Sequence, residues 1–253
     1  MKYWILTLAF CLSSMGWCAA PADSLRHSIE REGSRGAFRA KDFVLPAALV
    51  GVGALGIDPP WGSRAKEKAH TWWASSSVER SNRVADGAQF LSYAAAVGLG
   101  ELGVKARHGV RDRALVTATT FVLAEGLGRG LKSMGWERRP DGSDRQSFPS
   151  GHATRAFAGA ELVRVEYGAA WGTAAYAVAT GIALWRVRDN RHWWNDVVAG
   201  AGVGIVSARL SYLLLPFEQR LLGLSPTSEV QVAFLPTYEP QYRSTGLGLV
   251  VVF

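Results

Sequence analysis

Cysteine is almost missing from this chain. Its two cysteines, Cys11 and Cys18, both fall in the segment 1–22. There Lys2 precedes an apolar run and then small residues, with Ala20-Pro21-Ala22 as an A-x-A step before Asp23. This is the pattern of a secretory signal peptide, with an uncleaved anchor as the alternative. Neither cysteine sits in a lipobox. Removal of the leader leaves no thiol, which excludes disulfides and thiolate metal sites. Acidic residues are also in short supply: 21 Asp+Glu stand against 28 Lys+Arg, a net charge of +7. That balance favours anionic partners. Basic tracts and aromatic-basic repeats are absent, so nucleic acid is not expected among them. Internal repeats and low-complexity tracts are absent too.

Membrane character is neither clear nor lacking. The apolar run "FVLPAALVGVGALGI", 43–57, is short for a span and carries Pro46 near its start. The chain is 48% hydrophobic with a mean hydropathy of +0.05. This is apolar for a soluble protein and low for a multispan one. Residues 23–86 read as an N-terminal helical extension: polar at 23–42, apolar at 43–57, then mixed in charge over 63–86. Helix-like segments follow over about 88–104, 113–132, 153–167, 170–187 and 196–215. Pro216 is expected to end the last. Gly200 and Gly204 make a G-x-x-x-G step suited to close helix packing. Glu101, Glu125, Arg129, Arg155, Glu161 and Arg209 lie within these segments, and in a bilayer they must face the interior or each other. The tail 217–253 changes character. "EVQVAFLP" and "TGLGLVVVF" alternate about a turn-rich stretch, which predicts a short C-terminal β-hairpin. The expected organisation is therefore a leader (1–22), an extension (23–86), a helical core (87–216) and a tail (217–253), all-α apart from the hairpin.

Three clusters carry chemistry. They are Lys132 with Arg139-Pro140; Pro149-Ser150-Gly151-His152; and Arg186, His192 and Asp196. Each falls where a helical segment ends or begins, and an antiparallel bundle gathers those ends on one face. Lys132, Arg139 and Arg186 offer three cations, two of them planar guanidinium forks matched to phosphate oxygens. A helix start at Ser150 and Gly151 adds backbone N–H donors and the positive end of a helix dipole. His192 and Asp196 share a helical face at i, i+4. A carboxylate on one ring nitrogen fixes the tautomer and frees the other nitrogen to attack. His152 is then the spare acid/base group. Taken singly, each cluster also reads as a cap, a solvated basic loop or a structural ion pair. Asp141-Gly142-Ser143-Asp144 lacks calcium-loop spacing. "GLGRG" at 126–130 follows no strand and so is no dinucleotide loop. No metal site is expected.

The ordered pattern K-x6-R-P, P-S-G-H, R-x5-H-x3-D resembles the type-2 phosphatidic acid phosphatase and vanadium haloperoxidase superfamily over about residues 87 to 216. One position departs: Trp185 stands where that family has a serine before the arginine. The resemblance implies an antiparallel helical bundle of the acid phosphatase/haloperoxidase type and a cofactor-free, metal-independent phosphatase. By that likeness His192 attacks phosphorus to form a phosphohistidine, Asp196 orients it, and His152 protonates the leaving alkoxide. Lys132, Arg139 and Arg186 hold the phosphoryl oxygens, with Ser150 and Gly151 assisting. The implied substrate is a phosphomonoester or diphosphate of a lipid or polyprenyl carrier. The expected location is the cell envelope, membrane-embedded or membrane-associated, with the active face outside the cytoplasm. The alternatives are a vanadate-dependent haloperoxidase and a non-catalytic envelope protein retaining the fold.

Overall fold

The computed structural model describes residues 38–57, 62–74 and 82–224 with side chains, except those of 82–83. The chain divides into two units: 37–218, and a second made of 1–36 with 219–253. The leader, the extension before residue 38 and the side chains of the 217–253 tail beyond Leu224 lie outside the described residues. The described helical body lends the terminal hairpin no support, and that hairpin remains a proposal from the alternating sequence.

Unit 37–218 is all-α. A short 3-10 turn, Ala40–Phe43, leads into α1 (Val44–Leu55); α2 (Ser63–Thr71), α3 (Asn82–Ala88), α4 (Leu91–Gly98), α5 (Val110–Ser133), α6 (Gly151–Tyr167), α7 (Ala169–Arg188) and α8 (Trp194–Leu221) follow. Pro46 falls in the first turn of α1, where a missing N–H costs nothing. Helix α6 is the centre. Ala153, Ala156, Ala158, Ala160, Leu162 and Val163 are all buried, so it is covered around its circumference. It packs on α4, α5 and α7. A single residue joins α6 to α7: Gly168, at φ +85°, a conformation that a Cβ disfavours. The two helices thereby turn back sharply on each other.

Helix α8 lies between α1 and α6, and glycines set both distances. A Cβ at Gly200 would sit 2.7 Å from the Ser150 carbonyl oxygen, and one at Gly204 would sit 2.8 Å from the Ala158 nitrogen. On the other side, a Cβ at Gly53 of α1 would meet the Ala199 Cβ at 2.6 Å. The G-x-x-x-G step is thus a close approach of α8 to α6. The charged residues of the expected segments are paired. Arg155 and Arg129 share Glu125, Glu161 is held by Arg164 and Arg209, and Arg113 meets Glu101.

Two expectations are corrected. The segment expected over 88–104 is shorter: α3 ends at Ala88, and the helix within that stretch, α4, runs Leu91–Gly98. Gln89 breaks the run by turning back, its amide donating to the Asp86 carbonyl oxygen at 2.7 Å while its Oε1 accepts from Arg155 at 2.9 Å. Helix α8 also passes through Pro216 to Leu221. Proline there forfeits one backbone bond, and burial of Ala208, Ser211, Tyr212 and Leu215 in the preceding turns outweighs that local loss.

Candidate active site

Four helix ends meet at one pole of this unit: the C-termini of α5 and α7 and the N-termini of α6 and α8. Between them lies a cleft of about 370 Å³ lined by Asp86, Lys132, Arg139, Gly151, His152, Arg155, Arg186, Arg191 and His192. The lining holds five cationic side chains against one carboxylate, so it favours a multiply charged anion. Of the eight residues singled out in the sequence, six line the cleft directly. Ser150 and Asp196 lie beneath it, buried.

The cations are anchored before any ligand arrives. Lys132 Nζ donates to the Gln146 carbonyl oxygen at 2.8 Å. Burial, then the nearby Arg139 charge, lower its pKa to about 8. Arg139 Nε bridges both oxygens of Asp144, at 2.9 and 3.0 Å, and its Nη1 donates to the Arg191 carbonyl oxygen at 3.3 Å. Arg186 is buried and lies 3.8 Å from Asp189. Burial is also the main cause that lowers its pKa. Holding the cations this way removes much of the ordering cost of gripping a phosphoryl group.

Ser150 caps α6. Its Oγ accepts from the Ala153 N–H at 3.5 Å, and its own N–H donates to the Asp196 carbonyl oxygen at 3.0 Å. The start of α6 is therefore tied to the start of α8. The Ser150 amide is occupied by that bond, whereas Gly151 opens onto the cleft.

His192 is buried, and its Nδ1 faces Asp196 Oδ2 at 3.4 Å. That is longer than a closed hydrogen bond; such pairs commonly tighten when substrate binds. Asp196 Oδ2 already accepts from Ser147 Oγ at 2.5 Å and from the Trp193 N–H at 2.8 Å. The His192 pKa is held well below the ordinary histidine value by burial first, then by Lys132, Arg139 and Arg186. The imidazole is neutral at pH 7, the form a nucleophile needs.

His152 Nε2 pairs with Asp86 Oδ1 at 2.7 Å. Burial and the Arg186 charge draw its pKa down to about 4, while Asp86 pushes it the other way. An anion placed among the same cations opposes this depression, because it favours the protonated ring.

Three residues escaped the sequence reading: Asp86 on His152, Ser147 on Asp196, and Glu137. Glu137 is buried beside the start of α8, bonded to Lys66 and to Asn195. Ser147 and Glu137 flank motif residues, but their partners are distant in the chain. Asp86 carries no local signal at all. Such an arrangement, five cations around a cleft with a neutral histidine facing a carboxylate on one side and a second histidine on another, has the chemistry of an oxyanion cage.

No solved structure matches this chain. Over 114 residues it is 34% identical to the lipid A 1-phosphatase of Porphyromonas gingivalis, a match that covers 44% of this chain and 26% of that protein. The match thus spans about a quarter of the relative's length. The family model of the PAP2 superfamily matches residues 90–220, which include Lys132, Arg139, His152, Arg186, His192 and Asp196. The chain belongs to the PAP2 superfamily.

Proposed function

We propose that this protein is a metal-independent phosphatase that hydrolyses a phosphomonoester or diphosphate of a lipid or polyprenyl carrier. One observation carries the reading: a single cleft holds Lys132, Arg139 and Arg186 together with His152 and a neutral His192 backed by Asp196. Family membership and the likeness to a lipid A 1-phosphatase support the same class of reaction.

The reaction proceeds in two steps. In the first, the three cations and the Gly151 N–H grip the phosphoryl oxygens. The His192 nitrogen remote from Asp196 attacks phosphorus, the P–O ester bond breaks, and His152 gives its proton to the departing alkoxide. Asp196 stabilises the positive charge that develops on His192. Ser150 serves by fixing the helix start. In the second step water attacks the phosphohistidine, neutral His152 accepts the water proton, the P–N bond breaks and phosphate leaves. Charge stabilisation and positioning supply most of the rate enhancement in such transfers.

An amphiphilic substrate fits the surroundings. Trp72, Trp136 and Trp185 are exposed on elements that end at the cleft pole, and Val122, Leu127, Leu213, Leu214 and Phe217 are exposed along the helices. Among the described residues, α8 is the one helix long and apolar enough to cross a bilayer. Membrane attachment with the active face outside the cytoplasm belongs to this proposal, as does cleavage of the leader. A phosphate-release screen over lipid phosphates and polyprenyl diphosphates, run with chelator present, tests the reading. Turnover is expected for at least one lipid substrate and is expected to stop with vanadate. Silence across the panel, or activity restored only by a metal, rejects it.

A further inference from the structure

Beneath the cleft lies a second charged cluster that the mechanism above does not use. Glu137, in the loop after α5, is 6% exposed. Lys66 of α2 donates to its Oε1, and the Asn195 side chain of α8 donates to its Oε2 at 2.7 Å. Lys66 is itself fixed. Its Nζ also donates to the carbonyl oxygen of Gly56 at 2.8 Å, just past the end of α1, and lies 4.9 Å from the centre of the Trp193 ring. One point thus joins the end of α1, α2, the loop after α5 and the start of α8. Two of these contributors, α1 and α2, lie outside the stretch matched by the family.

The neighbour of Asn195 is Asp196. Asp196 Oδ2 has its partners, but Oδ1 is buried with no hydrogen-bond partner among the described residues. An orphaned carboxylate oxygen is costly, and a protonated carboxyl beside it relieves that cost. Glu137, bonded to the neighbouring Asn195 and within hydrogen-bonding reach of Asp196, is the carboxyl at hand. Burial first, and then the charge of Asp196, push its pKa up to about 8, and burial raises the Asp196 pKa as well, so the two carboxyls keep a shared proton. The charged groups facing it are Lys66 from α2 and Asp196 from α8. One carboxyl holds a proton against the other, as in other close carboxyl pairs.

We propose that Glu137 is a positioning residue for the His192–Asp196 pair: clamped by Lys66 and Asn195, it donates its carboxyl proton to Asp196 Oδ1 and fixes the face that Asp196 turns to His192. The N-terminal extension, through Lys66, is then part of the catalytic unit. This inference rests on the reading of His192 as the nucleophile, so its test carries an arm that needs no turnover.

Glutamine at this position retains an oxygen that can accept from Lys66 and an NH2 that can donate to Oδ1 and to the Asn195 amide, once that amide turns its oxygen inward; alanine retains neither. Glu137→Ala is expected to lower kcat by about tenfold or more, with KM changed less than about twofold. Glu137→Gln is expected to keep kcat within about threefold of the parent. Asn195→Ala, which removes one arm of the clamp, is expected to lower kcat in the same sense if the alanine variant at 137 does not fold. In parallel, the His192 ring nitrogen-15 signals should shift in Glu137→Ala and return in Glu137→Gln, with circular dichroism confirming the fold. Parental kcat and parental His192 signals in folded Glu137→Ala or Asn195→Ala overturn the proposal, as does Glu137→Gln impaired as deeply as Glu137→Ala. If the parent releases no phosphate, the nitrogen-15 arm alone decides, and the phosphatase reading fails separately.

Discussion

His152 illustrates how a residue's surroundings set its chemistry. Burial and Arg186 hold its pKa at about 4 in the protein alone, while a general acid must carry a proton near neutrality. The anion in the cage supplies the difference, so binding must draw in a proton. Sulfate, whose charge is constant across this range, should bind with proton uptake, and its affinity should fall as pH rises above about 4 toward the histidine pKa of the complex. Calorimetry in buffers of different ionisation enthalpy measures the uptake. His152→Ala should reduce it, leaving only what the other depressed groups of the cage, His192 and Lys132, take up. Uptake that is absent, or that His152→Ala leaves unchanged, contradicts the assignment. Ser147 makes a second case. Its 2.5 Å bond to Asp196 is charge-assisted, so Ser147→Ala is expected to reduce kcat by about tenfold, roughly 1.4 kcal/mol, with KM little changed. Steady-state kinetics on the folded variant check this.

At the scale of the helices, the site exists because α8 approaches α6 closely enough for the Ser150 N–H to reach the Asp196 carbonyl oxygen. Gly200 and Gly204 permit that approach. Gly204→Ala forces a Cβ into the Ala158 backbone and is expected to destabilise the protein by about 1–3 kcal/mol, read as a lowered denaturant midpoint. It should also slow turnover more than a destabilised but otherwise native site would. Much of this was legible in the sequence. The G-x-x-x-G step predicts a close crossing, and K-x6-R-P, P-S-G-H and R-x5-H-x3-D place charged groups at helix ends, where an antiparallel bundle must gather them. What was not legible depends on tertiary pairing. Asp86 meets His152 across 66 positions, Ser147 meets Asp196 across 49, and Asn195 meets Glu137 across 58. No local periodicity encodes such contacts. Pro216 misled for a related reason: the penalty of an internal proline is local, whereas the burial that outweighs it comes from other helices.

For the whole molecule, the charge excess and the apolar exterior point the same way. A net charge of +7 with cations concentrated in one cleft suits an anionic headgroup. Exposed tryptophans and aliphatic residues suit what the headgroup is attached to. The proposed orientation makes a direct prediction. With Cys11 and Cys18 replaced, exposed Arg145→Cys should react with an impermeant thiol reagent in intact spheroplasts. Reaction only after lysis refutes an outward-facing site. Lys66 is a poor labelling position, since its side chain is enclosed by Glu137 and Trp193.

The proposed mechanism turns on covalent transfer of the phosphoryl group to His192. A rapid quench of the enzyme with a phosphorus-32-labelled lipid phosphate, in chelator, tests it most directly. Acid-labile, base-stable label is expected on His192, lost in His192→Ala along with turnover, and accumulating in His152→Ala when the leaving group is made good enough to depart without a proton. Phosphate release by His192→Ala at the parental rate, or label on any other residue, contradicts it.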